Sequence, residues 1–444
     1  MTISLNKKVL KYLFITALLA KTSVYSVEST AVDADSVETN KLSSMNISSI
    51  STALDYVLEY NSEIIAADNA YRAAVEIIHA TGVLPDPMIE GTIFVDPIET
   101  RNGPIENQFM VGQKIPLWGK LKRQRSAAGL MADNAFLALQ NKKVKVSFQL
   151  RSSWAHYIKL KNSITILENY KAELESFRRV ALSQYSTGKG KTQHPILKLQ
   201  IEQSLIESQI NSMEASLERT INELQTLFNG TFKEDLITDD WDIDIPANST
   251  KIWLDIAHKT APSYLISKNN VDLASIHKEL TVRKNYPDLV AGLTYSIVDE
   301  TELPGAPSSG KDAFGVKLGL NLPVWFKRNK ARVQSSTLNI KAKEASHENS
   351  WNQIEGEIIS AIKEYYEAEE TYFIYRDNLV QESEQLLASA FSAYETGNIS
   401  FLDLLDSERM IVKVRLEHEA AILNHRVASA KLLKTIGLIE GMER

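Results

Sequence analysis

The chain has 444 residues, a net charge of −7 and no cysteine. An acidic chain is a poor candidate for nucleic-acid binding. The lack of cysteine excludes disulfides, thiolate-held zinc, thiol nucleophiles and a lipid attached through cysteine. No segment after the first few dozen residues has the long uncharged apolar run of a transmembrane helix.

Lys7, Lys8 and Lys11 precede the apolar run Tyr12 to Ala20, and small residues follow around Ser26. The run is too short to span a bilayer. Its order, basic then apolar then small, reads as a secretory signal over residues 1–26, the alternative being an amphipathic first helix. Loss of its four lysines, Lys21 included, makes the mature chain more acidic still. Residues 27–48 are rich in Ser, Thr, Asp and Glu and read as a flexible leader. An exported chain with no membrane helix is periplasmic, secreted or a membrane β-barrel, and composition does not choose among these.

The spacing predicts strands over about 88–96 and 108–117, with Phe109, Val111 and Ile115 as an apolar row that Gln113 spoils. A long helix is expected over about 120–187. Leu139, Val146, Leu160, Leu167 and Leu174 recur in it every seven positions, with Ser153 interrupting, and Leu150, Tyr157 and Ile164 form a companion row. A break at Tyr185-Ser-Thr-Gly188-Lys-Gly190 leads to a second helix over about 195–228. Strands follow over about 288–298 and 312–323. Leu289, Ala291, Leu293, Tyr295 and Ile297 share one face of the first; Phe314, Val316, Leu318, Leu320 and Leu322 share one face of the second. A further long helix is expected over about 327–396, with the row Trp351, Ile358, Tyr365, Tyr372, Leu379 and Leu386. The last helix, about 400–436, comes after a break at Tyr394-Glu-Thr-Gly397-Asn398. A seven-residue repeat holds one face against a partner helix. Rods of roughly 65 residues, about 100 Å long, suit a tube that crosses the periplasm.

The plan occurs twice, which predicts an α+β membrane protein of two internal repeats over 49–245 and 246–444, each with two strands and a long helical hairpin. Pro85-Asp86 corresponds to Pro287-Asp288, Ile115-Pro-Leu-Trp118 to Leu322-Pro-Val-Trp325, and Tyr185-x-x-Gly188 to Tyr394-x-x-Gly397. Four strands cannot close a membrane barrel, since the smallest have about eight. Several chains must therefore share one, two or three copies by spacing alone, unless the strands form a small soluble sheet capping a coiled coil. Trp118 and Trp325 end the second strand of each pair. Lys120 and its neighbours follow the first, Lys327 and Arg328 the second. Trp followed by cations fits anchoring in outer-membrane lipid headgroups, against the plainer reading of a buried Trp before a solvated helix start.

Gln113-Lys-Ile-Pro-Leu-Trp-Gly-Lys120 resembles the strand-to-helix junction of the TolC-type outer-membrane efflux factors. Tyr394-x-x-Gly-x-x-Ser-x-x-Asp403-x-x-Asp406 resembles their periplasmic tip signature. The resemblance covers about 47–437, and Tyr185 to Gly190 is most similar to the metal-efflux branch. It implies a homotrimer with a 12-stranded β-barrel continued by a 12-helix periplasmic α-barrel, docked to a periplasmic adaptor and an RND-type inner-membrane pump, with no cofactor and no resident metal. It also implies a gate and selectivity role for Asp403, Asp406 and Tyr394, and adaptor docking at Gly188, Gly190, Gly397 and Ser400. Asp403 and Asp406 share a helix face, and three copies would gather six carboxylates in a cation-favouring constriction. Ser400-x-x-Asp403 is equally a helix-capping pattern. Where the family carries an acid in the first hairpin, this chain has His194-Pro195.

An enzyme finds little support. The eight histidines are scattered, none with a zinc-site partner beyond His418-Glu419, and there is no phosphate loop or nucleophile elbow. Asp239-Asp240 reads as part of a solvated connector. The competing functions are an outer-membrane duct for type I protein secretion and a periplasmic coiled-coil adaptor or scaffold, though an adaptor would not need duplicated strand pairs.

Overall fold

The computed structural model describes residues 49–186, 193–230, 249–301 and 308–439. The expected signal and leader, Gly188, Gly190 and the Asp239-Asp240 connector lie outside these residues. The order begins with helices α1 (Ile50–Tyr60) and α2 (Ser62–Ala80), strands β1 (Met88–Ile98) and β2 (Ile105–Ile115), and helices α3 (Lys120–Ser186) and α4 (His194–Leu227). It continues with α5 (Thr250–Thr260), α6 (Pro262–Arg283), β3 (Leu289–Val298), β4 (Ala313–Leu320) and α7 (Phe326–Ile374). A π-helical turn (Tyr375–Leu379), α8 (Val380–Glu395) and α9 (Phe401–Ile436) complete it.

The helix pairs before each strand pair, α1–α2 and α5–α6, did not stand out in the sequence. Their breaks use different chemistry. Asn61 leaves the helical region, and its side chain accepts from the amides of Glu63 and Ile64 at 3.0 and 3.4 Å, capping α2. In the second half Pro262, which has no amide hydrogen to orphan, opens α6 after an extended Ala261. Each break receives the end of a long hairpin. Asn61 Nδ2 donates to the Leu227 carbonyl at 2.9 Å, Asn229 Nδ2 donates to the Tyr60 carbonyl at 2.8 Å, and Phe228 stacks on Tyr56. At the other break Thr260 donates to the Ile436 carbonyl, and Gly437 turns with φ +81°. A Cβ there would lie 2.6 Å from the Thr260 carbonyl oxygen, so only glycine fits this close approach.

The heptad rows of α3 are buried throughout, from Leu139 to Leu174 and from Leu150 to Ile164. The interrupting Ser153 is buried too and donates to Glu223 of α4 at 3.0 Å. In the second rod the row holds through Ile358 and Tyr365, then fails: Leu386 is 47% exposed, while Ser383 and Ala390 are buried. The π turn explains this. Its wider turn shifts the phase of every later residue, as a four-residue insertion shifts a heptad frame.

The four strands form one antiparallel sheet in the order β1-β2-β3-β4. Ile89, Val111, Leu293 and Val316 are in register across it, as are Gly91, Phe109, Tyr295 and Phe314. Apart from the glycine, these residues make one face apolar; Val111, Leu293, Phe314, Val316 and Leu318 are exposed. Gly112, Gly292 and Lys317 align on the other face, which is polar or small apart from Met88, Met110 and Val290. Around the long helices, α3 packs on α2, α4, α6 and α9, and α7 packs on α6 and α9. The chain therefore has two lateral edges, β1 with α2 and α4 on one side and β4 with α7 and α8 on the other.

Candidate functional site

Two regions carry the candidate residues: the junction between sheet and rods, and the tip where α8 turns into α9. At the junction the two tryptophans differ. Trp118 sits in the left-handed region with φ +66°, unusual for a bulky residue. Its indole donates to the Pro287 carbonyl at 3.1 Å, its ring lies 5.4 Å from that of Tyr286, and its own carbonyl accepts from Arg283. Trp325 is 65% exposed and lines an open cleft of about 930 Å³ with Arg328 and Lys284. Lys327 and Arg328 are also exposed.

Lys120 departs from the expected role of a headgroup anchor. It is buried, and its ammonium donates to Asp288 Oδ1 at 2.6 Å and to the Tyr286 carbonyl at 2.9 Å. Asp288 is buried as well, with Lys114 3.6 Å away. A buried carboxylate just before β3 needs a cation, and the first residue of α3 supplies it, so this lysine ties the two halves together.

At the tip α8 ends in a Schellman turn. Gly397 has φ +75°, its amide donates to the Tyr394 carbonyl at 3.0 Å, and the Asn398 amide donates to the Ala393 carbonyl at 2.8 Å. Open space surrounds the position of a Gly397 Cβ. Ser400 then caps α9. The Ser400 hydroxyl and amide donate to Asp403 Oδ2 at 2.7 and 2.9 Å, and the Asp403 amide donates back to the hydroxyl at 3.3 Å. These bonds to Ser400, hydroxyl first, with the charge of Lys198, hold the Asp403 carboxyl below the usual carboxylate range. Tyr394 packs its ring 6.0 Å from Phe401, which meets Phe177 of α3 edge-on at 5.6 Å. The Asp406 side chain is 61% exposed and paired, with Arg409 at 3.3 Å and Lys198 of α4 at 3.9 Å.

No family model matches the sequence and no curated protein matches it. Solved structures do. The channel protein CusC superimposes with TM-score 0.72 at 14% identity over 88% of this chain and 92% of that one. The CmeC outer membrane channel of Campylobacter jejuni gives 0.70 at 14% over 89% and 87%. The outer membrane protein VceC of Vibrio cholerae gives 0.70 at 14% over 89% and 97%. The chain has the fold of the TolC-type outer-membrane channels. Identity is 14% to each of the three, so the matches single out no metal branch within that fold.

On the TolC-type fold, the tip holds residues that sequence reading missed. Arg409 bridges Asp406 to Glu202, a buried acid of α4. The Tyr170 hydroxyl of α3 donates to the other oxygen of Glu202 at 3.4 Å. The network ties α3, α4 and α9 together across the two hairpins. The only trace in the sequence was a lone Arg three residues after Asp406 on the same helix face; Glu202 lies 207 positions away. Among the described residues no helix is long and apolar enough to cross a membrane, and no group of three or more His, Cys, Asp and Glu could hold a metal ion.

Proposed function

We propose that the chain is one protomer of an outer-membrane exit duct in a tripartite efflux system, exported by the signal in residues 1–26. Three copies, each an internal duplication of one strand-pair and hairpin unit, close a 12-stranded barrel and continue it as a 12-helix periplasmic tunnel. A periplasmic adaptor and an inner-membrane pump of RND type complete the system, and cargo passes without chemical change. The observation that carries this reading is the sheet. Its apolar face is exposed, and β1 and β4 leave both edges of backbone hydrogen-bonding groups unpaired within the described chain. Such a sheet is an aggregation hazard in water and a barrel segment in lipid, where every backbone group must find a partner.

In this reading the exposed Trp325, Lys327 and Arg328, with Trp118, sit at the headgroup layer. Asp403 and Asp406 line the periplasmic entrance with Tyr394 close behind, and the turns at Gly397 and Ser400, with Gly188 and Gly190, face the adaptor. The test is native mass measurement of detergent-extracted outer membranes, followed by planar-bilayer recording. A trimer that conducts supports the duct, whereas a protein recovered as a soluble monomer without detergent refutes it.

A further inference from the structure

On the face of the sheet opposite the apolar rows, the charged side chains of the paired residues are Glu90 on β1, Lys114 on β2 and Lys317 on β4. Lys114 has Asp288 at 3.6 Å. Lys317 is exposed and makes no ion pair among the described residues. Its ammonium donates instead to Met110 Sδ at 3.3 Å, two strands away. A thioether is a weak, uncharged acceptor, so this contact fixes the side chain without cancelling its charge.

Glycine makes the reach possible. Gly292 lies opposite Lys317 on β3, Gly112 lies opposite Gly292 on β2, and Gly315 and Gly319 flank the lysine on its own strand. The methylene stem of Lys317 therefore crosses a bare stretch of sheet. Met110 leans into the same gap, its Cε 3.6 Å from the place of a Cβ on Gly112. Glycine weakens a strand interior and marks a place where another group comes close; here that group is Lys317. Met110 is paired across the sheet with Thr294 on one side and Glu90 on the other, so the ammonium ends beside these two residues.

We propose that Lys317 is a selectivity-determining residue of the duct, giving one band of the barrel lumen a preference for anions and for anionic groups on cargo. The inference rests on the barrel proposed above, in which the apolar rows face lipid and the opposite face lines water. Three copies would set three ammoniums at one height, each with a field that reaches about 10 Å in 0.1 M salt. Glu90 opposes this field from the same wall. The band has the opposite sign to the entrance acids proposed at Asp403 and Asp406.

The chain lacks cysteine, so Thr294→Cys supplies one thiol per copy beside the ammonium. Outer membranes carrying the full chain are treated with an anionic or a cationic methanethiosulfonate (sulfonatoethyl or trimethylammonioethyl). The ratio of the two rates reads the local potential and cancels changes in thiol ionisation. Adding Lys317→Gln is expected to lower the anionic-to-cationic ratio about fivefold, and adding Glu90→Gln to raise it. In planar bilayers Lys317→Gln alone should move the reversal potential toward cation preference, both in the native background and with Asp403→Asn and Asp406→Asn. If Lys317→Gln leaves the rate ratio unchanged, or leaves the reversal potential unchanged in both backgrounds, the assignment is overturned and the barrel stands. Val316→Cys, on the apolar face, is expected to react with neither reagent. If it reacts as fast as Thr294→Cys, or if Thr294→Cys reacts with neither, the sheet is not a barrel wall and both readings fall.

Discussion

At the scale of single residues, the least expected behaviour is that of Lys120. The sequence suggests a membrane-boundary cation there, yet it points inward to Asp288, both side chains about nine-tenths buried. Removing one partner strands a buried charge, partly relieved here by Lys114. Lys120→Met is therefore expected to cost about 3 kcal/mol, read as a lower Tm of the detergent-solubilised protein. The double change Lys120→Met with Asp288→Leu should recover most of that loss; if it unfolds as readily as the single variant, the ion pair is not the cause. Trp325, by contrast, is 65% exposed. Asp403 also serves the fold, because its carboxylate closes the capping box of α9. Its lowered pKa means that this contribution is present above the usual carboxyl range and is lost as the pH falls through the lowered value.

At the scale of elements, the packing of α3 against α9 contains a proton-sensitive contact. Glu408 of α9 is buried, and its carboxyl is pushed up to about 7, first by burial and then by the charge and hydrogen bond of Glu173 on α3, with Arg415 opposing. The folded-state value is raised above the ordinary 4.5, so the protonated form favours the folded state. The stabilisation is complete below about 4.5 and is lost as the pH rises through about 7. Glu408→Gln, which keeps the neutral shape, should flatten the dependence of thermal stability on pH between those values and raise stability at pH 8. An unchanged slope would show that another group carries it. The same tip contains the Glu202–Arg409–Asp406 bridge, which joins α9 to α4 beside that contact.

At the scale of the whole molecule, the gate role proposed for the tip residues depends on the number of copies. In a trimer Asp403 and Asp406 would place six carboxylates around one aqueous axis, and their fields would add. Asp403→Asn with Asp406→Asn should weaken cation preference and block by multivalent cations in planar-bilayer recordings. Correctly assembled channels with unaltered selectivity would leave these acids as capping and bridging groups only. For docking, a Cβ at Gly397 meets nothing within 4 Å among the described residues, so a side chain there is strained chiefly by its positive φ. Gly397→Trp is expected to lower efflux sharply while the oligomer still forms. Full efflux at normal expression would place the adaptor elsewhere.

What the sequence determined by itself was whatever depends on local period. Alternation of two marked the strands and their apolar face, and a period of seven marked the long helices. Gly397, Ser400 and Asp403, lying within seven residues of one another, spelled out the turn and cap. Short helices were less legible: α1 and α5 have 11 residues each, too few for a repeat to declare itself, and their breaks rely on unlike residues. Tertiary structure decided the rest. The π turn moved Ser383 and Ala390 inward in place of Leu386, a phase change set by packing and invisible to residue spacing. Lys120 meets Asp288 across 168 positions and Arg409 meets Glu202 across 207. Such pairs exist only once the two halves lie side by side, because a charge has no periodicity that names its distant partner.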